Sequence, residues 1–257
     1  MKFFDEHNSL TDSQHGFRAE RSTETQLLLT VDDISKQIDQ NSTVSMAILD
    51  FSKAFDKVPH KRLLSKLSAC GINGDLLNWF ESFLSNRIQR VVCDGEISDP
   101  KCVLSGVPQG TVLGPLLFLI YVNDIPDNIV STVRLFADDC LVYRTIDSPT
   151  DNKLLQEDLD KLENWQNKWQ MNFNPSKCYI LTISSKKDYK PPNFTLCNQN
   201  LKHVTSHPYL GVEIDSKLRW DKHINHITNK ANSVFGLLKR NLAHCPLDFK
   251  TTAYEDS

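Results

Sequence analysis

Two adjacent aspartates, Asp138 and Asp139, stand inside the stretch R-L-F-A-D-D-C-L-V-Y (134–143), between apolar runs that otherwise read as strand. Strands disfavour Asp, and neighbouring carboxylates repel one another. A third aspartate, Asp50, closes the β-branched and apolar run T-V-S-M-A-I-L-D (43–50), a pattern suited to a buried central strand. If those strands are neighbours, two or three carboxylates converge on one spot, which is costly in a low-dielectric setting while they stay unpaired. A divalent cation removes the objection. Mg²⁺ takes hard oxygen ligands and is commonly held by one or two carboxylates plus substrate phosphates. Two such ions about 4 Å apart clamp a phosphate for in-line attack. Taken alone, the Asp pair reads equally well as a polar hairpin turn, where Asp is common.

The elements that must position these residues follow from periodicity. Residues 19–40 carry Leu27, Leu28, Val31, Ile34 and Ile38 at helical spacing, with Ser22 or Thr23 as N-cap. Helices are expected at 60–69, ended by Gly71, and at 74–85. The run R-I-Q-R-V-V-C-D-G (87–95) alternates like a half-exposed hairpin strand with Asp94-Gly95 as its turn. A largely buried helix is expected over 111–123 and a β-hairpin over 133–143, around the Asp pair. Leu154, Leu155, Leu159, Leu162, Trp165 and Trp169 then repeat at three- and four-residue steps across 150–170. That spacing reads the two tryptophans as core, not as base-stacking platforms. Strands around 178–184 and 209–214 precede a basic helical tail at 221–243. The mixture implies an α+β chain with antiparallel hairpins, not a doubly wound one.

Composition sets outer bounds. The 257 residues, 40% hydrophobic and 24% charged, are ordinary globular material able to bury a sizeable core. A net charge of −3 gives no global pull toward nucleic acid, so any such contact must use local basic patches. The seven cysteines are odd in number and show no C-x-x-C pair, which reads as reduced intracellular thiols. His203 and His207, with Cys197 nearby, have something of a metal spacing, but Pro208 and the polar surroundings read as loop. The longest apolar run, 114–122, is too short to span a bilayer, and the first residues carry no signal-peptide core.

Three stretches occur in a telling order: A-I-L-D-F-S-K-A-F-D-K-V-P-H (47–60), L-S-G-V-P-Q-G-T-V-L-G-P-L-L-F (104–118) and R-L-F-A-D-D (134–139). They closely resemble the three central palm motifs of reverse transcriptases. With the flanking Q-H-G-F-R (14–18), N-P-S-K-C (174–178) and Y-L-G-V-E-I-D (209–215), the set resembles non-LTR (LINE, jockey-like) retrotransposon polymerases, and group II intron enzymes more distantly. The resemblance covers nearly the whole chain. It implies a right-hand polymerase palm, an antiparallel sheet packed on helices, with partial fingers and the start of a helical thumb. The implied domains are a reverse transcriptase domain over 1–215 and the beginning of a thumb over 216–257.

The implied activity is RNA-directed DNA polymerisation, with RNA template, DNA primer and dNTPs as partners and two Mg²⁺ ions as cofactor, Mn²⁺ able to substitute. By resemblance, Asp50 and Asp138 are the principal metal ligands, Asp139 supports them, and the backbone carbonyl of Phe51 completes one metal shell. Phe55 would close the floor below the sugar and select dNTPs; by spacing alone it reads as a core aromatic. Gln109 and Gly110 would approach the incoming nucleotide, Arg18 the triphosphate or template, and Lys177 the departing pyrophosphate. An RNA polymerase of viral type resembles this active site too, but usually has Asp where Phe55 stands and Gly where Ala137 stands. Lys217, Arg219, Lys222 and Lys230 would track a phosphate backbone.

The chain starts just before Q-H-G-F-R and ends in T-T-A-Y-E-D-S, which against that resemblance implies incomplete fingers and thumb. An alternative therefore stays open: a truncated or degenerate remnant that at most binds nucleic acid without polymerising. The expected location is intracellular, with cytoplasmic synthesis and action in the nucleus at the site of integration, and no membrane association.

Overall fold

The computed structural model describes residues 9–186, 189–243 and 245–246. Helix α1 (Thr23–Asp39) begins at Ser22, whose hydroxyl accepts from the Thr25 N–H while the Thr25 side chain accepts from the Ser22 N–H. Strand β1 (Thr43–Leu49) follows, buried at every position but Ile48. Helices α2 (His60–Ala69) and α3 (Asp75–Leu84) come next. A two-tier hairpin follows. Strand β2 (Ile88–Gln89) pairs with β5 (Lys101–Cys102), and β3 (Val92–Cys93) with β4 (Glu96–Ile97). Asp94 and Gly95, at φ +51° and +87°, make its turn as expected.

Helix α4 (Leu113–Val122) is apolar almost throughout and buried. Strands β6 (Thr132–Phe136) and β7 (Asp139–Ile146) form the hairpin around the Asp pair. Helix α5 (Pro149–Trp169) starts at the Ser148 cap with Pro149 in its first turn. Strand β8 (Tyr179–Ser184) and the short β9 (Thr195–Leu196), β10 (Gln199–Asn200) and β11 (Lys202–Val204) complete the first part of the chain.

Among the described residues, a five-stranded sheet organises this first part of the chain, in the order β11-β8-β1-β7-β6. It is antiparallel apart from the β11–β8 pair. Strand β1 is central, which explains its largely apolar character, and its two hydroxyls, Thr43 and Ser45, meet Ser184 and Thr182 of β8. Side chains alternate across the sheet. Ala47, Leu49, Val133, Leu135 and Val142 share one core with Leu155, Leu159 and Leu162 of α5. Tyr143 and Arg134, on the other face, reach Asp33 of α1. The sheet is thus sandwiched between α1 and α5. Trp165 is buried, and Trp169 packs partly buried on the same core, so the helical spacing of the tryptophans reflects packing.

Below them Lys66 is buried, bonded to the Tyr121 carbonyl and the Asp124 carboxylate, with the Trp169 ring 3.9 Å from its ammonium. Burial pushes the Lys66 amine down to about 8, against the pull of Asp124.

The chain divides into two compact units, Met1–Thr205 and Ser206–Ser257. The second contains β12 (Ser206–Tyr209), β13 (Val212–Asp215) and α6 (Asp221–Asn241). Here the sequence expectation is corrected. The single strand read at 209–214 is a two-stranded ribbon, because Leu210 and Gly211 both adopt positive φ (+47° and +85°) and fold the chain back. His203 and His207, expected in a loop, lie on β11 and β12. No helix among the described residues is long and apolar enough to cross a membrane.

Candidate active site

Asp50 is the first residue beyond β1. The last β1–β7 pair is Leu49 with Cys140, so the next positions along the two strands are Asp50 and Asp139. The apolar run carries the chain through the core and releases it at this rim. The backbone of Asp50 is then held by the segment 172–178. Its carbonyl accepts from the Asn174 N–H at 2.8 Å, and its N–H donates to the Cys178 sulfur at 3.4 Å. Ser52 N–H donates to the Asn172 carbonyl, closing a bridge between Phe51 and Phe173 whose rings stack 4.4 Å apart. That bridge uses the neighbours' backbone groups and not the Phe51 carbonyl, the atom expected at a metal.

Asp138 stands differently. Phe136 pairs with Asp139, leaving Ala137 and Asp138 as a two-residue turn with Ala137 at φ +52°. This is a left-handed conformation that a residue with a Cβ adopts at a cost. The buried carboxamide of Gln14 compensates. Its Oε1 accepts from the Ala137 N–H at 2.9 Å, and its Nε2 donates to the Ala137 carbonyl at 3.2 Å. Gly16 lies against the same backbone: a Cβ there would come within 2.2 Å of the Ala137 nitrogen. Neither Gln14 nor Gly16 was singled out from sequence. The available signal is an amide two residues before a glycine in Q-H-G-F-R, a motif in which the resemblance implies a role for Arg18 alone.

Like charges gather at this rim. The Asp139 carboxyl is pushed up to about 6, first by burial and then by Asp138 and Asp50, although water reaching its exposed side tempers the shift. Burial likewise raises Asp50; Lys177 opposes that shift and Asp138 adds to it. Lys177 is exposed, at the end of the short 3-10 turn Pro175–Lys177. The structure therefore gathers Asp50, Asp138, Asp139 and Lys177 into one electrostatic neighbourhood. Among the described residues, no group of three or more His, Cys, Asp or Glu side chains is closed tightly enough to form a metal cage by itself. The donor chemistry, hard carboxylate oxygens in net negative surroundings, nevertheless fits a divalent cation whose remaining ligands come from substrate and water.

Beside this rim, Phe55 is half-buried, stacked 4.2 Å from Phe118 and edge-on to Phe17. Gly106 (φ +89°) packs flush against the backbone of Asp56, and a Cβ there would lie 2.7 Å from the Asp56 carbonyl oxygen. The Gln109 amide donates to the Asp56 carboxylate at 3.0 Å, and Gly110 is exposed at φ +75°. An open cavity of about 720 Å³ adjoins them, with Lys53, Lys57, Arg87 and Gln109 among its lining residues; the three carboxylates do not line it.

Arg18 donates to the Thr11 carbonyl at 3.2 Å and lies near His15. Lys217, Arg219, Lys222 and Lys230 belong to the second unit. There Asp215 accepts from the Lys217 and Arg219 backbone N–H groups, and Lys222 donates to Ser206.

An antiparallel sheet covered by helices, with aspartates at a strand end and the adjoining hairpin turn, defines a polymerase palm. Solved structures agree at the level of fold. Telomerase from Candida tropicalis, in complex with the TWJ fragment of telomeric RNA, superposes with a TM-score of 0.58 at 12% identity, over 86% of this chain and 36% of that one. Telomerase from Candida albicans gives 0.52 at 14% identity, over 84% and 35%.

The pattern of the reverse transcriptase (RNA-dependent DNA polymerase) family matches residues 1–214, and the chain belongs to that family. Within it, the chain resembles the jockey-like non-LTR elements. It is 32% identical to the RNA-directed DNA polymerase from mobile element jockey of Drosophila melanogaster, over 83% of this chain and 24% of that protein. The counterpart from Drosophila funebris is 33% identical over 82% and 24%. The probable RNA-directed DNA polymerase from transposon X-element of D. melanogaster is 30% identical over 85% and 25%. The chain spans about a quarter of the length of these relatives.

Proposed function

We propose that this chain carries the polymerising centre of a non-LTR mobile element, an RNA-directed DNA polymerase extending a DNA primer on an RNA template. The observation that carries the reading is the placement of Asp50 at the end of β1 and of Asp138 in the neighbouring β6–β7 turn, each with its own backbone support and near enough for both Lys177 and Asp138 to act on the Asp50 carboxyl. In the reaction, the primer 3′-hydroxyl attacks the α-phosphate of a dNTP, a new P–O bond forms, and pyrophosphate leaves. Mg²⁺, or Mn²⁺ in its place, when held by Asp50, Asp138, Asp139 and the Phe51 carbonyl, lowers the pKa of the attacking hydroxyl and neutralises the developing charge.

The chain's own groups do the remainder. The Lys177 ammonium is assigned the task of giving a proton to the leaving pyrophosphate. Phe55, braced on Phe118, forms a rigid floor that would collide with a ribose 2′-hydroxyl. Gln109 and Gly110 border the nucleotide, with Lys53, Lys57 and Arg87 supplying positive charge to the adjoining cavity. Arg18 is assigned to the triphosphate or template side. In the domain reading, 1–215 forms partial fingers and palm, and 216–257 begins a thumb whose Lys217, Arg219, Lys222 and Lys230 follow a phosphate backbone. Synthesis primed at an integration site places its work in the nucleus.

Primer extension on an RNA template with Mg²⁺ tests this, comparing dNTPs with rNTPs. The wild-type chain should extend with dNTPs, and Asp138→Asn should cost about 10³-fold, equivalent to about 4 kcal/mol. Phe55→Val should lower discrimination against rNTPs by about 10- to 100-fold. A wild-type chain that binds primer–template yet never extends it would favour the remnant that binds nucleic acid only.

A further inference from the structure

We propose that Gln14 is a positioning residue for Asp138, its carboxamide acting through the backbone of Ala137 to set the direction in which the Asp138 carboxylate leaves the turn. This inference rests on the metal-site reading above and extends it to a residue 123 positions before Ala137 in sequence.

The carboxamide is used almost to capacity. Oε1 receives the N–H groups of Ala137 (2.9 Å) and Gly16 (2.7 Å), and Nε2 reaches the Ala137 carbonyl (3.2 Å). Because two N–H donors converge on one atom, that atom must be the oxygen, which fixes the orientation of the amide. The Ala137 carbonyl belongs to the same peptide plane as the Asp138 N–H. Pinning that carbonyl together with the Ala137 N–H locks the planes on both sides of the positive-φ residue. The bond that carries the Asp138 side chain starts from the second of those planes. A turn in a costly conformation would otherwise relax and swing the carboxylate away.

Three further contacts make the support rigid. The segment 13–15 ladders onto β6, with the Leu135 N–H donating to the Ser13 carbonyl (2.8 Å) and the His15 N–H to the Leu135 carbonyl (2.9 Å). Gly16 allows the segment to lie flush, since a Cβ would occupy the place of the Ala137 nitrogen. The Arg21 guanidinium donates to the Gln14 carbonyl (3.0 Å) and the Asp12 carbonyl (2.6 Å), bracing the segment from behind. Glutamine is the side chain this geometry asks for. Glutamate would set an acceptor against the Ala137 carbonyl, asparagine is one methylene short, and methionine supplies neither bond.

The test is Mn²⁺ affinity, read by the electron paramagnetic signal of free Mn²⁺, beside Tm, for the wild type, Gln14→Met, Gln14→Glu and Asn123→Leu. Asn123 is the control because it holds the same N-terminal segment away from the turn, accepting from the Thr11 N–H (2.7 Å) and donating to the Ser9 carbonyl (2.8 Å). Both Gln14 variants should bind Mn²⁺ about tenfold or more weakly, while Asn123→Leu stays within about twofold of wild type at a similar loss of Tm. Amide exchange at Ala137 should quicken in Gln14→Met, which loses the oxygen that accepts from it, and not in Asn123→Leu. Gln14→Glu keeps the accepting oxygen, so it reads out the lost donor even if Gln14→Met fails to fold.

Gln14 variants that bind Mn²⁺ like wild type would overturn the proposal, as would a control that loses affinity equally. A wild type that binds no Mn²⁺ would overturn it together with the metal site. Primer extension run alongside separates the two readings: Mn²⁺ bound as expected without extension sinks the polymerase function and leaves the clamp standing.

Discussion

The end of β1 and the β6–β7 turn present the same functional group in opposite ways. Asp50 continues a regular strand and inherits its place from the β1–β7 and β1–β8 registers, with backbone bonds from Asn174 and Cys178 finishing the job. Asp138 follows a residue at φ +52° and relies on a side-chain amide from a distant segment. Ladder hydrogen bonds are local consequences of pairing, and their loss is spread over many neighbours. A turn held by one carboxamide concentrates its support in a single residue. The strand end should therefore tolerate perturbation better than the turn.

Three substitutions sharpen or break that contrast. The largest effect is expected at Gly16→Ala, where the added methyl meets backbone at 2.2 Å with nothing flexible to give way. Urea unfolding should register a loss of about 3 kcal/mol. A loss below about 0.5 kcal/mol would mean that the 13–16 segment floats and that the turn is not braced by it.

Asp158 comes next. It is fully buried and accepts from the Val130 and Ser131 N–H groups just before β6, and from Lys161. It thus anchors the strand that leads into the turn. Burial would raise its carboxyl, but Lys161 and the Ser131 and Val130 donors overcome this and hold it below the usual 3.8. The folded state therefore binds the proton more weakly than the unfolded chain. The resulting stability is complete above pH 3.8 and drains away as pH falls through the lower folded value. Asp158→Asn should cost about 2 kcal/mol at neutral pH and flatten that acid limb. An unchanged limb in urea melts between neutral and acidic pH would place the acid sensitivity elsewhere.

The smallest effect is expected at Ala137→Gly. Relief of the left-handed conformation is offset by the greater freedom of glycine in the unfolded chain, so stability should stay within about 0.5 kcal/mol. Exchange of the Asp138 amide should nevertheless quicken, because glycine no longer resists rotation out of the turn.

Much of this architecture could be read from sequence because its causes are local. A β-branched and apolar run ending in Asp50 identified the central strand, and of the two cap candidates Ser22 and Thr23 it is Ser22 that starts α1. Leu155, Leu159, Leu162 and Trp165 gave α5 its buried face, and Asp94-Gly95 marked a turn that needs two positive φ angles. The 209–214 stretch misled because Leu210, an unusual residue for the left-handed region, takes positive φ beside Gly211 and turns the chain where strand was expected. The support of the Asp138 turn was hidden for a different reason. Gln14 and Ala137 meet at the β6 edge of the sheet, and no local periodicity connects them. Cys178, bonded behind Asp50, is hidden in N-P-S-K-C for the same reason: its partner lies 128 residues away in sequence.

The central claim is that the strand end and the turn deliver their carboxylates to one shared cation. Mn²⁺ titration of Asp50→Asn, Asp138→Asn and the double variant measures this most directly. A shared ion predicts that each single change weakens binding by more than about tenfold, and that the double variant loses clearly less than the sum of the two free energies. Strict additivity, or full affinity with either aspartate removed, would mean that the two carboxylates serve separate sites.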